Sequence, residues 1–280
     1  MKKNKLPLMN TFLFDFLVFL AVLFFVPIGL VFINSFKSRL YISSNPFALP
    51  KGEMFVGLSN YIAGLSTAGF FQAFLRSAFI TLVSVGLILV CTSMTSWFIA
   101  RVRNKFTKGL YYLFAFSMIV PFQMVMYTMT YVVNMLNFDN ILGINFVYLG
   151  FGAGLSVFMF TGFVKSIPMD LEEAAEIDGC NPLYTFFFVI FPVLKPTTIT
   201  VAILNAMWIW NDYLLPYLVL GTDDKTVPVA IQIAMQGAYG ATDYGGFMAM
   251  LVLAIIPIIT FYLFAQKYII SGVISGAVKG

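Results

Sequence analysis

The chain has 280 residues, of which 60% are hydrophobic and only 10% are charged, whereas a soluble domain carries about 25% charged residues. Its mean hydropathy is +0.92, and its long apolar runs exclude a soluble globular protein. The net charge of +4 does not indicate nucleic-acid binding, because the lysines and arginines flank the apolar runs instead of forming one basic face.

The residue types that are missing narrow the possible chemistry. The sequence has no histidine, which excludes serine–histidine and cysteine–histidine nucleophiles, histidine metal sites and histidine proton relays. It has no GxxxxGK[ST] phosphate loop, so we do not expect this chain to bind nucleotide phosphates. Cys91 and Cys180 fall in a predicted span and a predicted cytoplasmic loop, so no disulfide is expected. We therefore expect no enzymatic activity, no metal site and no cofactor in this chain.

Six apolar runs are each long enough to cross a bilayer, which takes roughly 20 residues. In chain order the predicted spans are residues 11–34, 75–100, 109–135, 146–165, 197–220 and 246–266. Pro121 is expected to kink the third span. We predict an all-α integral membrane protein with six transmembrane helices in one domain, residues 1–280.

Two polar segments between the spans are predicted to be external. Residues 35–74 are expected to form an irregular loop with a short helix near residues 58–65. Residues 221–245 are expected to form an acidic, glycine-containing loop.

The basic residues predict the orientation, because cytoplasmic loops carry an excess of lysine and arginine. With both termini in the cytoplasm, the cytoplasmic residues are Lys2, Lys3, Lys5, Arg101, Arg103, Lys105, Lys108, Lys165, Lys195, Lys267 and Lys279. The external ones are then only Lys37, Arg39, Lys51, Arg76 and Lys225. This asymmetry places the loop 166–196 in the cytoplasm.

That loop contains a charged segment in an otherwise apolar sequence. Its acids are Asp170, Glu172, Glu173, Glu176 and Asp178. Asp170 is predicted to cap a helix in a capping box with Glu173. Gly179 should end this helix, and Asn181 with Pro182 should start a second short one. The sequence therefore predicts a cytoplasmic helix–turn–helix, followed by breaks at Pro192 and Pro196.

These residues resemble the cytoplasmic loop of the integral-membrane permease subunits of ABC importers, whose hallmark is E-A-A-x3-G-x9-I-x-L-P. Glu173, Ala174, Ala175 and Gly179 match at that spacing, and Pro192 falls where the motif ends. Val189 and Phe191 replace the isoleucine and the leucine. NSFK at 34–37, WNDY at 210–213 and GAVKG at 276–280 resemble the second permease subunit of the maltose-type carbohydrate importers.

The resemblance implies one half of an alternating-access pore in an ATP-driven, binding-protein-dependent importer of di- or oligosaccharides. It implies a multi-pass protein of the bacterial plasma (inner) membrane. The implied partners are a second homologous permease subunit, a pair of ATP-hydrolysing subunits that bind ATP and Mg²⁺, and an extracellular or periplasmic sugar-binding protein. The implied ATPase-coupling residues are Glu173, Ala174, Ala175, Asp178, Gly179 and Pro192. The structural alternative is a connecting loop with solvated acids.

Polar residues within the spans are costly unless satisfied, so they are candidates for a substrate path. These candidates are Asn205, Trp208, Asn211 and Gln123. Interhelical hydrogen bonding is the alternative for Asn205, and it is the interpretation favoured for Asp212. For Trp210 an interfacial position is favoured.

Two alternative functions stay open at this level. One is an importer of the same type for glycerol phosphate or another solute, which the loop motif does not exclude. A stand-alone secondary transporter would need coupling carboxylates in mid-span, whereas Asp15 and Asp212 both lie near the end of a span.

Overall fold

The computed structural model describes residues 7–67, 69–236 and 243–277, and it is dominated by helices. Lys2, Lys3, Lys5 and the final residues 278–280 lie outside the described part. The α-helices are α1 (Pro7–Asn34), α2 (Arg39–Ser44), α3 (Ser59–Thr67), α4 (Phe70–Arg101), α5 (Lys105–Ser117), α6 (Phe122–Met135), α7 (Ile144–Val164), α8 (Asp170–Ile177), α9 (Pro182–Tyr184), α10 (Phe191–Val193), α11 (Lys195–Asn211), α12 (Leu214–Leu220), α13 (Val227–Gln236) and α14 (Tyr244–Ala277). A 3₁₀ turn (Gly52–Met54) and a π-helical segment (Thr185–Ile190) complete the set.

Within this described part, four helices are long and apolar enough to cross a membrane. They contain the stretches Thr11–Asn34, Phe70–Arg101, Ile144–Val164 and Tyr244–Gln266. Two bent helix pairs raise the number to six if each counts as one span: Lys105–Ser117 with Phe122–Met135, bent by 109°, and Pro182–Val193 with Lys195–Asn211, bent by 79°. The chain is thus an all-α membrane protein with four to six candidate spans.

The helices differ from the predicted spans where proline or a side-chain cap interrupts the backbone ladder. The segment expected to be one kinked helix, 109–135, is two helices, because Pro121 has no N–H and precedes the first residue of α6. The segment 197–220 is divided at Asp212, which is extended at the end of α11. The short helix expected near residues 58–65 is present as α3.

The prediction of a loop over residues 221–245 was wrong in part, because α13 lies within it. Its Val227, Val229 and Ala230 side chains are buried. This short apolar helix was not predicted, because the glycine, threonine and acidic residues on both sides of it are typical of a loop.

The chain divides into two compact units, residues 1–71 with 230–257, and residues 72–229 with 258–280. In the first unit, the end of α1 leads into a polar cluster around the NSFK segment. The Asn60 amide on α3 donates to the carbonyls of Ser35 and Lys37, both at 2.8 Å, and the Ser35 hydroxyl lies 2.7 Å from the Tyr61 hydroxyl. The NSFK segment therefore fixes the chain where it leaves the first span.

Lys37 is fully buried in this cluster. Its ammonium donates to the carbonyls of Asn45 at 2.8 Å and Pro46 at 3.1 Å. Burial lowers the pKa of Lys37 below its ordinary value, because removal from water disfavours the charged form.

In the second unit, α7 is the central helix, and its Tyr148, Val157 and Phe160 side chains are fully buried. The Ser84 hydroxyl donates to the Asn145 amide oxygen at 2.8 Å, and the Ser96 hydroxyl lies 3.2 Å from the Val157 carbonyl. Since both partners advance together along the chain, α4 and α7 run parallel. Small hydroxyl residues at such contacts let helices approach closely.

Candidate functional site

The short helix α8 has distinct inner and outer sides. Ala175 is buried and Glu172 is half-buried, whereas Glu173, Ala174 and Ile177 are exposed. Residues three or four apart share a helix face, so Glu173 and Ile177 lie on the outer side and Glu172 and Ala175 on the inner side. α8 packs against the π-helical segment, and Ala175, one of the implied coupling residues, lies on the buried side of α8.

The predicted capping box at the start of α8 was wrong. The N-cap is Met169, without a side-chain capping bond. The Met169 backbone is already in the right-handed helical region, and its carbonyl accepts from the amides of Glu172 at 2.8 Å and Glu173 at 3.1 Å. Asp170 is thus the first helical residue, where its charge still faces the positive end of the helix dipole.

The end of α8 was predicted correctly. Gly179 has φ +79°, its amide donates to the Glu176 carbonyl at 3.0 Å, and the Cys180 amide donates to the Ala175 carbonyl at 2.9 Å. This pair of bonds is a Schellman motif, which uses a left-handed residue at this position. The exposed Asp178 is the last residue before this glycine.

The second helix also begins as predicted. The Asn181 side chain accepts from the Tyr184 amide at 2.8 Å, with Pro182 following at the first helical position. A π-helical segment then runs over Thr185–Ile190, and the Phe191 amide donates to the carbonyl of Phe186, five residues earlier. Pro192 is exposed in α10, and the chain turns by 79° before α11.

A largely buried ion pair joins α8 to the end of α4. The Arg101 guanidinium donates from Nε to Glu172 Oε1 at 2.8 Å and lies 2.7 Å from it through a second nitrogen. Both side chains are only 13% exposed. The same guanidinium donates to the Ile167 carbonyl at 3.1 Å. Arg101 therefore holds both α8 and the segment that leads into it.

A second contact lies one turn earlier on the same face of α4. The Trp97 and Phe186 rings are 5.6 Å apart, and Phe186 is fully buried in the π-helical segment. Residues 97 and 101 are four apart and share a helix face. The end of α4 thus holds both parts of the cytoplasmic loop, α8 through charge and the π-helical segment through aromatic packing.

Several exposed apolar residues of this loop were not predicted as functional, and three of them lie on or just after the acidic helix and its turn. Ile177 is 86% exposed, Leu183 is 61% exposed and Tyr184 is 50% exposed. Large exposed apolar residues beside charged ones are typical of protein contacts. The detectable signal was an isoleucine on the same face of the acidic helix as Glu173.

The predicted substrate-path residues occupy different environments. Asn205 is buried, and its amide donates to Ser156 Oγ at 3.2 Å and to the Val201 carbonyl at 2.9 Å. Asn211 is exposed and donates to the Met207 carbonyl at 2.7 Å. Trp208 is 39% exposed. Gln123 is exposed on the first turn of α6.

Gly152 explains why Asn205 fits so closely. A Cβ at Gly152 would lie 2.6 Å from Ile88 Cδ1 and 2.8 Å from Asn205 Oδ1. Helices α4, α7 and α11 thus meet at this glycine. Asn205 supplies an interhelical hydrogen bond at that junction.

Asp212 supports the break between α11 and α12. Its Oδ1 accepts from the amides of Leu214 at 3.1 Å and Leu215 at 3.4 Å, and its Oδ2 accepts from the Tyr148 hydroxyl at 3.2 Å. The Tyr148 ring also meets Trp208 edge-to-face, 5.4 Å between centroids. Trp210 packs edge-to-face on Phe74 at 5.5 Å. Sequence spacing did not indicate Tyr148 or Phe74, because each lies far along the chain from its partner on α11 or directly after it.

Comparison with known proteins places this arrangement in a family. Residues 62–275 match the family described as the binding-protein-dependent transport system inner membrane component. The chain is 38% identical to a probable starch degradation products transport system permease protein of Thermoanaerobacterium thermosulfurigenes, covering 94% of each chain. It is 36% identical to a multiple sugar-binding transport system permease protein of Streptococcus mutans, covering 92% of this chain and 93% of the relative.

A solved structure has the same fold. It is a chain of a bacterial ABC transporter involved in the import of the acidic polysaccharide alginate, with a TM-score of 0.79 and 21% identity. The match covers 96% of this chain and 99% of that one. With its apolar helices, the helix–turn–helix between them and these matches, the chain belongs to the family of binding-protein-dependent transport system inner membrane components.

Proposed function

We propose that this chain is a permease subunit of an ATP-driven importer of oligosaccharides, coupled to a separate ATPase through the outer side of α8 and the turn after it. The single observation that carries this proposal is that α8 has one exposed side and one side bound to α4. Its outer side is exposed, with Glu173 and Ile177, while its inner side is held to α4 by the Arg101–Glu172 pair. A partner that moves α8 from its outer side would therefore also move α4, a candidate membrane span, through the Arg101–Glu172 pair.

The docking surface combines charge with apolar contact. Its members are Glu173, Ala174, Ile177, Asp178 and Gly179. Carboxylates on it are suited to basic residues on a partner, and Ile177 is suited to an apolar pocket. Ala175 contributes by letting α8 pack closely on the loop, and Pro192 by ending the segment that follows.

The names of three relatives support an oligosaccharide cargo. Besides the two above, the chain is 31% identical to a melibiose/raffinose/stachyose import permease protein of Bacillus subtilis, covering 91% of this chain. For the substrate path we propose the exposed candidates Trp208, Asn211 and Gln123. An exposed indole that shares a helix face with the Asn211 amide, three residues along α11, is suited to a sugar ring. Asn205 is instead engaged in the α7–α11 contact.

Two variants in one assay separate coupling from substrate binding. The complex with its ATPase subunits is reconstituted in vesicles, and ATP hydrolysis and uptake of a panel of di- and oligosaccharides are measured. Glu173→Lys should reduce uptake at least about tenfold, since a reversed charge at the docking surface costs roughly 1.4 kcal/mol or more. Trp208→Ala should raise the half-saturating sugar concentration and leave basal ATP hydrolysis unchanged.

Asp139→Lys is the control, because it makes the same charge change at an exposed site on a different loop. Equal uptake in Glu173→Lys and the control would contradict the docking role. Uptake of glycerol phosphate, with no uptake of any sugar, would contradict the proposed oligosaccharide cargo. Uptake without any ATP-hydrolysing subunit would indicate a secondary transporter.

A further inference from the structure

A basic groove opens where α4 ends, α5 begins and α7 ends. It has a volume of about 750 Å³, and its lining includes Arg103, Lys105, Lys108, Lys165, Tyr111 and Tyr112. In the part of the chain that the structure describes, the lining has no acidic residue. Among the described residues, the ion pairs are Arg76–Asp224 and Arg101–Glu172, and neither lies in the groove. The four cations of the groove therefore have no carboxylate of these described residues within 4.0 Å.

The groove lies at the depth where membrane helices end. Because α4 and α7 run parallel, as their hydrogen bonds show, the ends of both helices lie at the same face of the membrane. Lys165 directly follows α7, and Arg103 follows α4 by two residues. The excess of basic residues assigns this face to the cytoplasm. The four cations are therefore at the level of the inner headgroups.

Two aromatic residues complete the groove. Lys165 Nζ lies 5.2 Å from the centroid of the Tyr111 ring, within the range of a cation–π contact. Tyr112 lines the groove and is 59% exposed, and Phe116, one turn further along α5, is 66% exposed. A continuous apolar strip thus leads from the basic groove along α5.

We propose that this groove binds the phosphate headgroup of an anionic phospholipid of the cytoplasmic leaflet, with an acyl chain along Tyr112 and Phe116. Clustered cations at a helix end bind anionic headgroups. The apolar strip is suited to an acyl chain, which a lipid has and a soluble anion lacks. The same combination disfavours an acidic protein surface, which would leave the strip uncovered. The proposal does not depend on the cargo.

The test measures phospholipid retained by the assembled complex. The complex is purified from vesicles of phosphatidylcholine with phosphatidylglycerol, and retained phosphatidylglycerol is counted by native mass spectrometry. The variant carries Arg103→Gln, Lys108→Gln and Lys165→Gln. Since each basic side chain near an anionic surface contributes measurably, retention should fall at least about tenfold.

The matched control carries Arg39→Gln, Lys51→Gln and Lys195→Gln, which remove the same charge from exposed sites outside the groove. Unchanged retention in the control supports the groove as the site. Equal retention in both triple variants overturns it. Displacement of phosphatidylglycerol by inorganic phosphate at equal molarity would assign the site to a soluble anion and also overturns the proposal.

A photo-crosslinker at Phe106, which is 69% exposed near the start of α5, distinguishes lipid from protein. Attachment of phosphatidylglycerol to this position supports the proposal. Attachment to an ATPase subunit, with no lipid product, overturns it. Neither result depends on transport activity, so failure of the proposed function and failure of this site are distinguishable.

Discussion

Gly179 shows how one residue can be required by its backbone alone. Its φ of +79° lies in the left-handed region, and a Cβ built on it would meet no atom within 4 Å. Alanine would therefore find space in this chain but would strain the backbone. Gly152 is required for a different reason, because Ile88 and Asn205 occupy the space that a Cβ would need.

Substitution of Gly179 should follow backbone preference. Gly179→Ala should weaken the turn by roughly 1–2 kcal/mol, the cost of a left-handed residue with a Cβ, whereas Gly179→Asn should cost less because asparagine tolerates this conformation. Co-purification of the ATPase should decrease in the order Gly, Asn, Ala. Equal loss in both variants would instead mean that a partner surface contacts the Cβ position.

Among the elements, the end of α4 is the part of the membrane domain that contacts the cytoplasmic loop through both charge and aromatic packing. Trp97 and Arg101 lie one turn apart and contact Phe186 and Glu172. An element held at two points moves with the loop as one piece. We infer that α4 is the span that responds first when α8 is displaced.

A double-mutant cycle tests this connection. Removing one partner of a buried pair costs about 3 kcal/mol, so Arg101→Gln and Glu172→Gln should each lower the thermal stability of the complex and the ratio of uptake to ATP hydrolysis. Arg101→Gln should cost more, because it also removes the bond to the Ile167 carbonyl. The double variant should be less impaired than the sum of the two.

The Arg76–Asp224 pair is the control for this cycle. Its distance is 2.8 Å, but its side chains are 26% and 42% exposed. Exposed pairs contribute about 0–1 kcal/mol, so the same cycle there should give little coupling and normal uptake. A larger coupling energy at Arg76–Asp224 than at Arg101–Glu172 would contradict the inference that α4 responds to displacement of α8.

For the molecule as a whole, the parallel direction of α4 and α7 determines what the bent pair α5–α6 must do. Ser84 contacts Asn145 at the start of α7, and Ser84 lies 17 residues before Arg101, about 26 Å along the helix. That distance approaches the hydrocarbon thickness of about 30 Å. We therefore infer that the chain between residues 105 and 143 returns across the membrane as a broken span, which is one of the two arrangements that its 109° bend allows.

This direction predicts the location of Asp139. In a chain carrying Cys91→Ser and Cys180→Ser, Asp139→Cys should react with a membrane-impermeant maleimide from outside intact cells. Ser166→Cys, exposed on the cytoplasmic loop, should react only after permeabilisation. Reaction of Asp139→Cys only after permeabilisation would make α5–α6 re-entrant.

Local features were predictable from the sequence, and long-range ones were not. Gly179 and Asn181 act on backbone groups within a few residues, so their roles follow from the order of residues alone. Arg101 and Glu172 are 71 residues apart, and no local pattern pairs them. Pro121 was predicted to kink its span, but the size of the bend depends on what the following helix packs against.

The π-helical segment gives the number of residues in this loop a physical meaning. Thr185–Ile190 contains one residue more than an α-helical stretch in the same ladder would hold, since the Phe191 amide skips to Phe186. The wide turn absorbs that extra residue, so deleting one of its residues would restore the α-helical ladder and leave the flanking turns nearly in phase. Deleting a residue from a turn that stays α-helical would instead rotate what precedes it by about 100° relative to α11. The π-helical turn therefore allows two loops that differ by one residue in length to present the same side of α8 to a partner, provided that the shorter loop is α-helical throughout.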